Sequence, residues 1–506
     1  MNDSRRDFIK KSGSCALGMV ALATQMQHLG TMSAMAQKAI DSDLGNSPYK
    51  ALVLLYFAGG NDGNNLIIPN HSDAAISNYA AYSAARNTQG LAIPQNQLLP
   101  IAVPRMQGST GTLTYGMHPA FGPVTGGINN GIHELWGLGK LGAVVNVGNL
   151  VRPMSRAQYQ NNSIQKPYQL FSHSDQVTQS QTSNAATQAF TGWGGRVSDR
   201  MTTVGPLIPM ITSIAGAQLF TSGQTTLPLA IADSGTSLAS VLNPVGYANN
   251  TTSSARRAAL NAIRVNDISS ANSNHVKAAA GVTEAAMAAN AQFQTSQDVT
   301  VVFPNTSIGR QLRQVARLIK KRADLSVTRQ IFYVQVGGFD THSNELATHN
   351  TQFSQISQAL RSFWDELGAQ STVGDNIQEA VTTFTLSDFN RTFNPAGSGA
   401  LVGSDHAWGN HMLVMGGSVN GGNFYGSKRP DGTGDYFPTL TQGGLDDTDS
   451  GTAPRGRWIP TTSTDQYCAQ LAKWFGLPQD PAILGAVFPN LGNFPGTFSQ
   501  LNFMLP

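Results

Sequence analysis

Three aspartates stand just past apolar runs: Asp62 after Ala51–Phe57, Asp340 after Gln330–Val336, and Asp388 after Ala380–Leu386. Two short motifs set imidazoles beside carboxylates, Asp340-Thr341-His342 and Ser404-Asp405-His406, with His411 five residues further on. Aspartate and histidine with no paired cysteine suit a divalent ion held by nitrogen and oxygen, Zn²⁺ or Mn²⁺ before others. Each residue alone has a plainer role. Asp62 beside glycines can close its own turn, Asp340 can cap a helix, and His411 before Met412-Leu413-Val414-Met415 can open a buried strand. The grouping argues the other way. His28 aside, the chain has nine histidines, and His173, His342, His406 and His411 all fall in Gly/Ser/Asp-rich turns beside carboxylates.

Positioning such residues is the task of the elements before them. Ala51–Phe57 is a continuous apolar run of the kind buried on both faces of a parallel sheet, and Leu141–Val147, Gln330–Val336 and Ala380–Leu386 read the same way. Amphipathic helices are predicted around 132–138, 309–322 and 353–367, the last from Phe353, Ile356, Leu360, Phe363, Trp364 and Leu367. Strands alternating with helices imply an α/β fold, a central mostly parallel sheet with helices on both faces. In such sheets ligands bind outside the carboxyl ends of the strands, which gathers the three aspartates at one edge. Residues of about 200–300 differ in texture. Met210–Ile214, Ala217–Phe220 and Leu227–Ile231 read as short strands, and the alanine-rich 252–295 as helical. The region reads as an insertion, a cap over the site or a spacer. A last helix follows Thr461, capped by Thr462, Ser463 or Thr464, with Tyr467, Leu471, Trp474 and Phe475 on its apolar face.

The compartment is read from the other end of the chain. Arg5-Arg6-Asp7-Phe8 precedes a moderately apolar stretch, Ser14–Ala23, and a small-residue site, Ala34-Met35-Ala36. These are the parts of a secretory leader of twin-arginine type. The apolar stretch falls well short of the ~20 residues of a membrane span. Residues 1–36 are therefore expected to be removed, leaving a domain of 37–506 in the periplasm or outside the cell with no stable membrane insertion. The leader takes Cys15 with it, so Cys468 stands alone and no disulfide forms within the chain. Arg5, Arg6, Lys10 and Lys11 against Asp3 and Asp7 account for +2 of the formal charge of +3. The remaining +1 gives no field for nucleic acid. The expected partners are the twin-arginine translocase during export and a small or polymeric ester.

Several segments carry a resemblance. Phe57-Ala58-Gly59-Gly60-Asn61-Asp62-Gly63, Met117-His118-Pro119, Phe171-Ser172-His173-Ser174-Asp175-Gln176 and Gly338-Phe339-Asp340-Thr341-His342 occur in order, followed by Ser387-Asp388-Phe389-Asn390-Arg391-Thr392, Gly403–His411 and Arg457-Trp458-Ile459-Pro460-Thr461. Together they resemble the bacterial domain-of-unknown-function-1501 family, typically twin-arginine exported and grouped with the alkaline phosphatase and sulfatase superfamily. The resemblance implies an alkaline-phosphatase-like sheet, two metal ions and a nucleophilic hydroxyl. By it, Asp62 is a ligand of one ion, Asp340 and His342 hold the other, and the rest come from Asp388, Asp405, His406 and His411 in either of two pairings. The nucleophile would be Ser172, with Ser174 or Thr178 behind it. Asn390 stands where the family often has glycine, a change expected to touch only local backbone freedom. The Cys/Ser-x-Pro-x-Arg motif of formylglycine sulfatases is missing.

If the centre is catalytic, two cations would clamp the attacking and leaving oxygens of a phosphoryl transfer. Arg391 would fork the non-bridging oxygens or, equally, close a salt bridge. His118 and His173 would touch substrate or serve as structural donors. The expected activity is hydrolysis of a phosphate or sulfate ester. The alternative is an exported protein that keeps fold and metal without catalysis.

Overall fold

The computed structural model describes residues 48–104, 111–201, 208–226, 228–236, 298–397, 401–450 and 453–505, with three residue pairs between 254 and 263. Strand β1 (Lys50–Phe57) is buried from Ala51 to Phe57, as a run with no polar face requires. Its alternating side chains part to two cores. Ala51, Val53, Leu55 and Phe57 enter one cluster, and Leu52, Leu54 and Tyr56 enter another on the opposite face.

Beyond β1 come a small antiparallel sheet of β2 (Ile67–Pro69), β3 (Leu99–Pro104) and β4 (Thr112–Met117), and then β5 (Leu141–Gly148). The chain continues through β6 (Ile211–Ser213), β7 (Leu229–Ala230), β8 (Arg329–Val336), β9 (Val381–Ser387), β10 (Asn410–Gly416), β11 (Phe424–Tyr425) and β12 (Thr462–Ser463). The main sheet runs β11-β5-β10-β9-β1-β8-β6-β7, with β12 paired to β5. β1 is parallel to both β8 and β9, and β10 is antiparallel to both β9 and β5. β5 therefore runs with the rest, and among the described strands of the main sheet β10 alone is reversed. β9, β1 and β8 are neighbours, so their carboxyl ends share one rim.

Among the described residues the helices of eight residues or more are α1 (Tyr79–Arg86), α2 (His173–Thr182), α3 (Trp193–Arg200), α4 (Ser307–Lys320), α5 (Glu345–Gln370) and α6 (Thr464–Phe475). α4 and α5 pack on the face of Val53 and Leu55 through Leu312, Val315, Phe353, Ile356 and Phe363. α3 and α6 cover the opposite face through Trp193, Val197, Tyr467, Leu471 and Phe475. Thr306 caps α4, and Ser463 caps α6 in a reciprocal box with Gln466, satisfying amide groups that a helix start leaves bare. The mostly parallel sheet between helices is therefore observed.

In the 200–300 region two of the three expected strands form: among its described residues Ile211–Ser213 and Leu229–Ala230 are strands, and they extend the main sheet beyond β8. Ala217–Phe220 is no strand, because Leu219–Thr221 closes a tight 3-10 turn whose amides return to Gln218 and Leu219. Nearly all of 252–295 lies outside the described residues. Among the described residues no helix is long and apolar enough to cross a membrane.

Candidate metal centre

Three turns at the common rim deliver side chains to one place. After β1, Gly59 and Gly60 take φ of +111° and +76°, a region open to glycine at little cost. The Gly59 N–H donates to Asp388 Oδ2 at 3.1 Å, tying the turn after β1 to the residue just past β9. After β8, Gly338 (φ +86°) turns the chain so that Asp340 stands at the rim. The loop past β9 doubles back, with bridges Ala396–Gly403 and Arg391–His406, and returns Asp405 and His406 beside Arg391. The last contributor is the first residue of α2, His173.

Asp340 Oδ1 is the focus. His173 Nε2 lies 3.3 Å from it, His342 Nε2 3.0 Å and His406 Nε2 3.5 Å. His173 Nε2 and His406 Nε2 are 3.0 Å apart. Two groups, His173–Asp340–His406 and His342–Asp405–His406, bring their donor atoms within 4.8 Å of one another. In a tetrahedral site with bonds near 2.0 Å the donors stand about 3.3 Å apart. The three edges of the first group, 3.0, 3.3 and 3.5 Å, straddle that value.

The tautomers sharpen the point. His173 Nδ1 is 2.8 Å from Asp388 Oδ2, and His406 Nδ1 is 2.8 Å from the Phe171 carbonyl oxygen. Both partners are acceptors, so each Nδ1 carries a proton, and in the neutral rings each Nε2 is left with a lone pair. At 3.0 Å that opposition is relieved either by a metal ion bound by both nitrogens or by a proton on His173 Nε2 donated to His406. Carboxylate or carbonyl behind the imidazole is also the usual outer support of a metal-binding histidine. Asp388 is itself held by Tyr56 Oη at 3.0 Å and by Gly59. Arg391 Nη1 donates to Asp340 Oδ1 at 2.8 Å.

Electrostatics separate the members. The hydrogen bond to Asp388 raises the His173 imidazole above its ordinary value against the pull of burial, and the charges of Asp388 and Asp340 add to it. Burial lowers His406, with the neighbouring His173 and Arg391 adding to the effect. Burial works to raise Asp340, but the Arg391 hydrogen bond and charge outweigh it and the carboxyl is lowered. For Asp405 burial again raises, yet the His406 amide and Arg455 prevail and bring it to about 2. The face is open, with Asp340 46%, His173 31% and His406 22% exposed, so a ligand can approach it.

Other expected site residues lie elsewhere. Asp62 is fully buried in an ion pair with Arg86, and its other oxygen accepts from Asn64 N and Nδ2. It closes its own turn and neutralises a cation, and it belongs to neither donor group. His411 is buried in β10, accepts from Asn146 N at Nδ1, and stacks on Phe437 at 4.6 Å. Burial drives it down to about 3. Asp388 stands one layer behind the donors. Arg391 offers no fork to a substrate, being fully buried with its nitrogens on Asp340, Ser404 Oγ and the Ser404 carbonyl. Ser172 precedes His173 and caps α2 by position, but its hydroxyl donates to Asp175 Oδ2 at 2.6 Å. Thr178 Oγ1 donates to the Ser174 carbonyl, and Ser174 Oγ contacts Asp175 and Ser172. His118 accepts from Ala120 N and is buried, which lowers it to about 3. Asn390 does more than free the backbone: its amide accepts from Gly63 N and donates to the Gly409 carbonyl, linking three segments. His173 is the donor that sequence reasoning left among substrate contacts and structural groups. Its signal was the Ser-His-Ser-Asp turn, and nothing local marked its distance to Asp340.

A family profile described as "Protein of unknown function (DUF1501)" matches residues 151–470, a span that holds every member of both donor groups. No curated protein matches the chain. Among solved structures, it is similar to alkaline phosphatase from the Antarctic bacterium TAB5 at 9% identity and a TM-score of 0.20, over 73% of this chain and 90% of that one. A mutant of the TAB5 enzyme with bound Mg gives 9% identity and a TM-score of 0.22 over the same shares. Likeness this distant says nothing about chemistry.

Proposed function

Since the chain belongs to the DUF1501 family, whose description fixes no activity, we propose a function from the site itself: a metal-dependent hydrolase of phosphate or sulfate esters. The carrying observation is the His173–Asp340–His406 face, whose two opposed lone pairs and three donor edges suit a divalent ion such as Zn²⁺ or Mn²⁺. His173, Asp340 and His406 would hold it, and His342 with Asp405 flank the same histidine. His406 has only Nε2 to give, its Nδ1 being committed to Phe171. The two groups are thus alternative homes for one ion at that atom, and this favours a single ion over the pair that the resemblance implies. When bound, such an ion supplies Lewis-acid polarisation of an ester oxygen.

This chain's own residues supply the rest. Arg391 fixes Asp340, Asp388 fixes the tautomer of His173, and Phe389 packs against both imidazoles at 4.6 and 4.7 Å. Export through the twin-arginine route, with action in the periplasm or outside the cell, belongs to this proposal and rests on Arg5-Arg6 and Ala34-Met35-Ala36. The same 3.0 Å separation supports a second reading, in which a proton shared by His173 and His406 replaces the ion and the protein binds without turnover.

The test is metal analysis of the full chain purified without chelator, beside turnover of aryl phosphate and sulfate mono- and diesters. About one equivalent of metal is expected in the parent, with loss of both metal and turnover in His173→Ala and Asp340→Ala. A metal-free parent that turns over nothing would leave the proton-bridged reading. Turnover abolished by Ser172→Ala at full metal content would restore the hydroxyl nucleophile.

A further inference from the structure

Two cavities of 490 and 300 Å³ adjoin and share Arg429, Pro430 and Thr461. The larger is lined by Lys428 and Arg429 and by no acidic side chain. The smaller adds Arg156, with Asp431 and Asp446 as its acids. Both acids are occupied. Asp446 pairs with Arg429 at 2.9 Å and accepts from Thr439 N and Oγ1, and Asp431 accepts from Thr433 N and Oγ1. Two polar atoms of lining residues, Arg156 Nε and Ser427 Oγ, are buried with no hydrogen-bond partner among the described residues. Lys428 is exposed.

This basic trough is joined to the metal centre through a short chain of contacts. Arg457 Nε donates to the His406 carbonyl at 3.1 Å, and Arg457 Nη1 lies 3.7 Å from Asp449 Oδ1. Arg156 Nη2 donates to the Asp449 carbonyl at 2.7 Å. Trp408, two residues past His406, packs in one cluster with Ile459 and Met154, which line the smaller cavity. Guanidinium groups and an ammonium with spare donors are what a tetrahedral oxyanion selects, the arginine by its planar fork and the lysine as a point charge.

We propose that the trough binds a second phosphate or sulfate group of the substrate whose scissile ester lies at the His173–Asp340–His406 face. The substrate class is then an oligomeric phosphate or sulfate ester, with at least one anionic group beyond the one attacked. This rests on the metal-centre reading.

The experiment is calorimetric titration of the metal-loaded full chain with short-chain inorganic polyphosphate, inorganic phosphate and dextran sulfate. Metal content is measured on the same samples. Polyphosphate or dextran sulfate is expected to bind more tightly than single phosphate, with affinity falling as salt rises. Lys428→Glu and Arg156→Gln should each weaken that binding by about tenfold, equivalent to about 1.4 kcal/mol, with metal content unchanged. Lys320→Glu, a charge-matched change at the end of α4, should not. Loss confined to polyphosphate assigns phosphate, and loss confined to dextran sulfate assigns sulfate. Equal binding by Lys428→Glu and parent, or single phosphate binding as tightly as the chain, overturns the proposal. A protein without metal that still binds polyphosphate through Lys428 would instead sink the metal-centre reading and leave the trough standing.

Discussion

His173 can offer Nε2 to an ion only while its proton stays on Nδ1, and Asp388 is the residue that keeps it there. Asp388 in turn is oriented from behind, with Tyr56 Oη on one oxygen and the Gly59 amide on the other. Replacing it by asparagine keeps the size but offers an N–H that can face Nδ1, which would move the imidazole proton to Nε2 and close the coordinating position. Outer carboxylates of this kind are worth roughly 10–100-fold in metal affinity, and Asp388→Asn should fall in that range in a chelator-competition titration. Tyr56→Phe removes one hydrogen bond and leaves the carboxylate, so its loss should be smaller. An Asp388→Asn protein that holds its ion as tightly as the parent would deny the residue this role. Arg391 tells a related story. Being buried among Asp340 and Ser404, it places a ligand, and Arg391→Lys should cost metal affinity because one ammonium cannot replace a guanidinium on Asp340 and Ser404 at once.

The turns that carry these residues touch one another with no space to spare. A methyl group at Gly59 would stand 2.5 Å from Asp340 N and 3.0 Å from the Phe339 carbonyl carbon, and the φ of +111° admits no ordinary side chain. Gly59→Ala must therefore push the turn after β8 away from the turn after β1, displacing Asp340 and the amide that holds Asp388. Overpacking of this sort costs roughly 1–3 kcal/mol. The expected result is a lowered unfolding midpoint together with reduced metal content, and normal content in a folded Gly59→Ala protein would show that the two turns move independently. Such approaches are also where sequence reading fails. Ala51–Phe57, Gln330–Val336 and Ala380–Leu386 announced buried strands because each lacks a polar face, and the rim with Asp340 and Asp388 followed from their shared direction. The reversal of β10 left no mark, since Met412-Leu413-Val414-Met415 is apolar whichever way it runs. Asp62 looked like a rim ligand because its partner Arg86 lies 24 residues on in a separate helix. His173 was hidden for the opposite reason: its partners Asp388 and His406 lie more than 200 residues away.

Over the whole molecule, buried ionisable groups set how stability answers to pH, and they act in opposite directions. His118, His349 and His411 are driven down to about 3, 4 and 3, chiefly by burial. The unfolded chain binds their protons more readily, so their contribution is present above the ordinary 6.5 and is lost as pH falls toward those values. Asp465, in the first turn of α6, behaves in reverse. Burial raises it from 3.8 to about 7, against the hydrogen bond from Asn490 N and the charge of Arg196. Arg196 gives little relief because its guanidinium is spent on the carbonyls of Thr182, Thr191 and Val487. Between 3.8 and about 7 the folded state holds the Asp465 proton more tightly than the unfolded state does. That contribution is complete below 3.8 and is lost as pH rises through about 7. Asparagine at this position cannot ionise, and its Oδ1 can still accept from Asn490 N. The difference in melting temperature between Asp465→Asn and parent cancels the histidines, which both proteins share. It should move in favour of the variant between pH 5 and pH 8, by a few degrees at most in a chain of this length. A difference that stays constant over that interval would mean that Asp465 keeps its charge in the folded protein at pH 5, and that the face of the sheet opposite α4 and α5 admits more water than its packing implies.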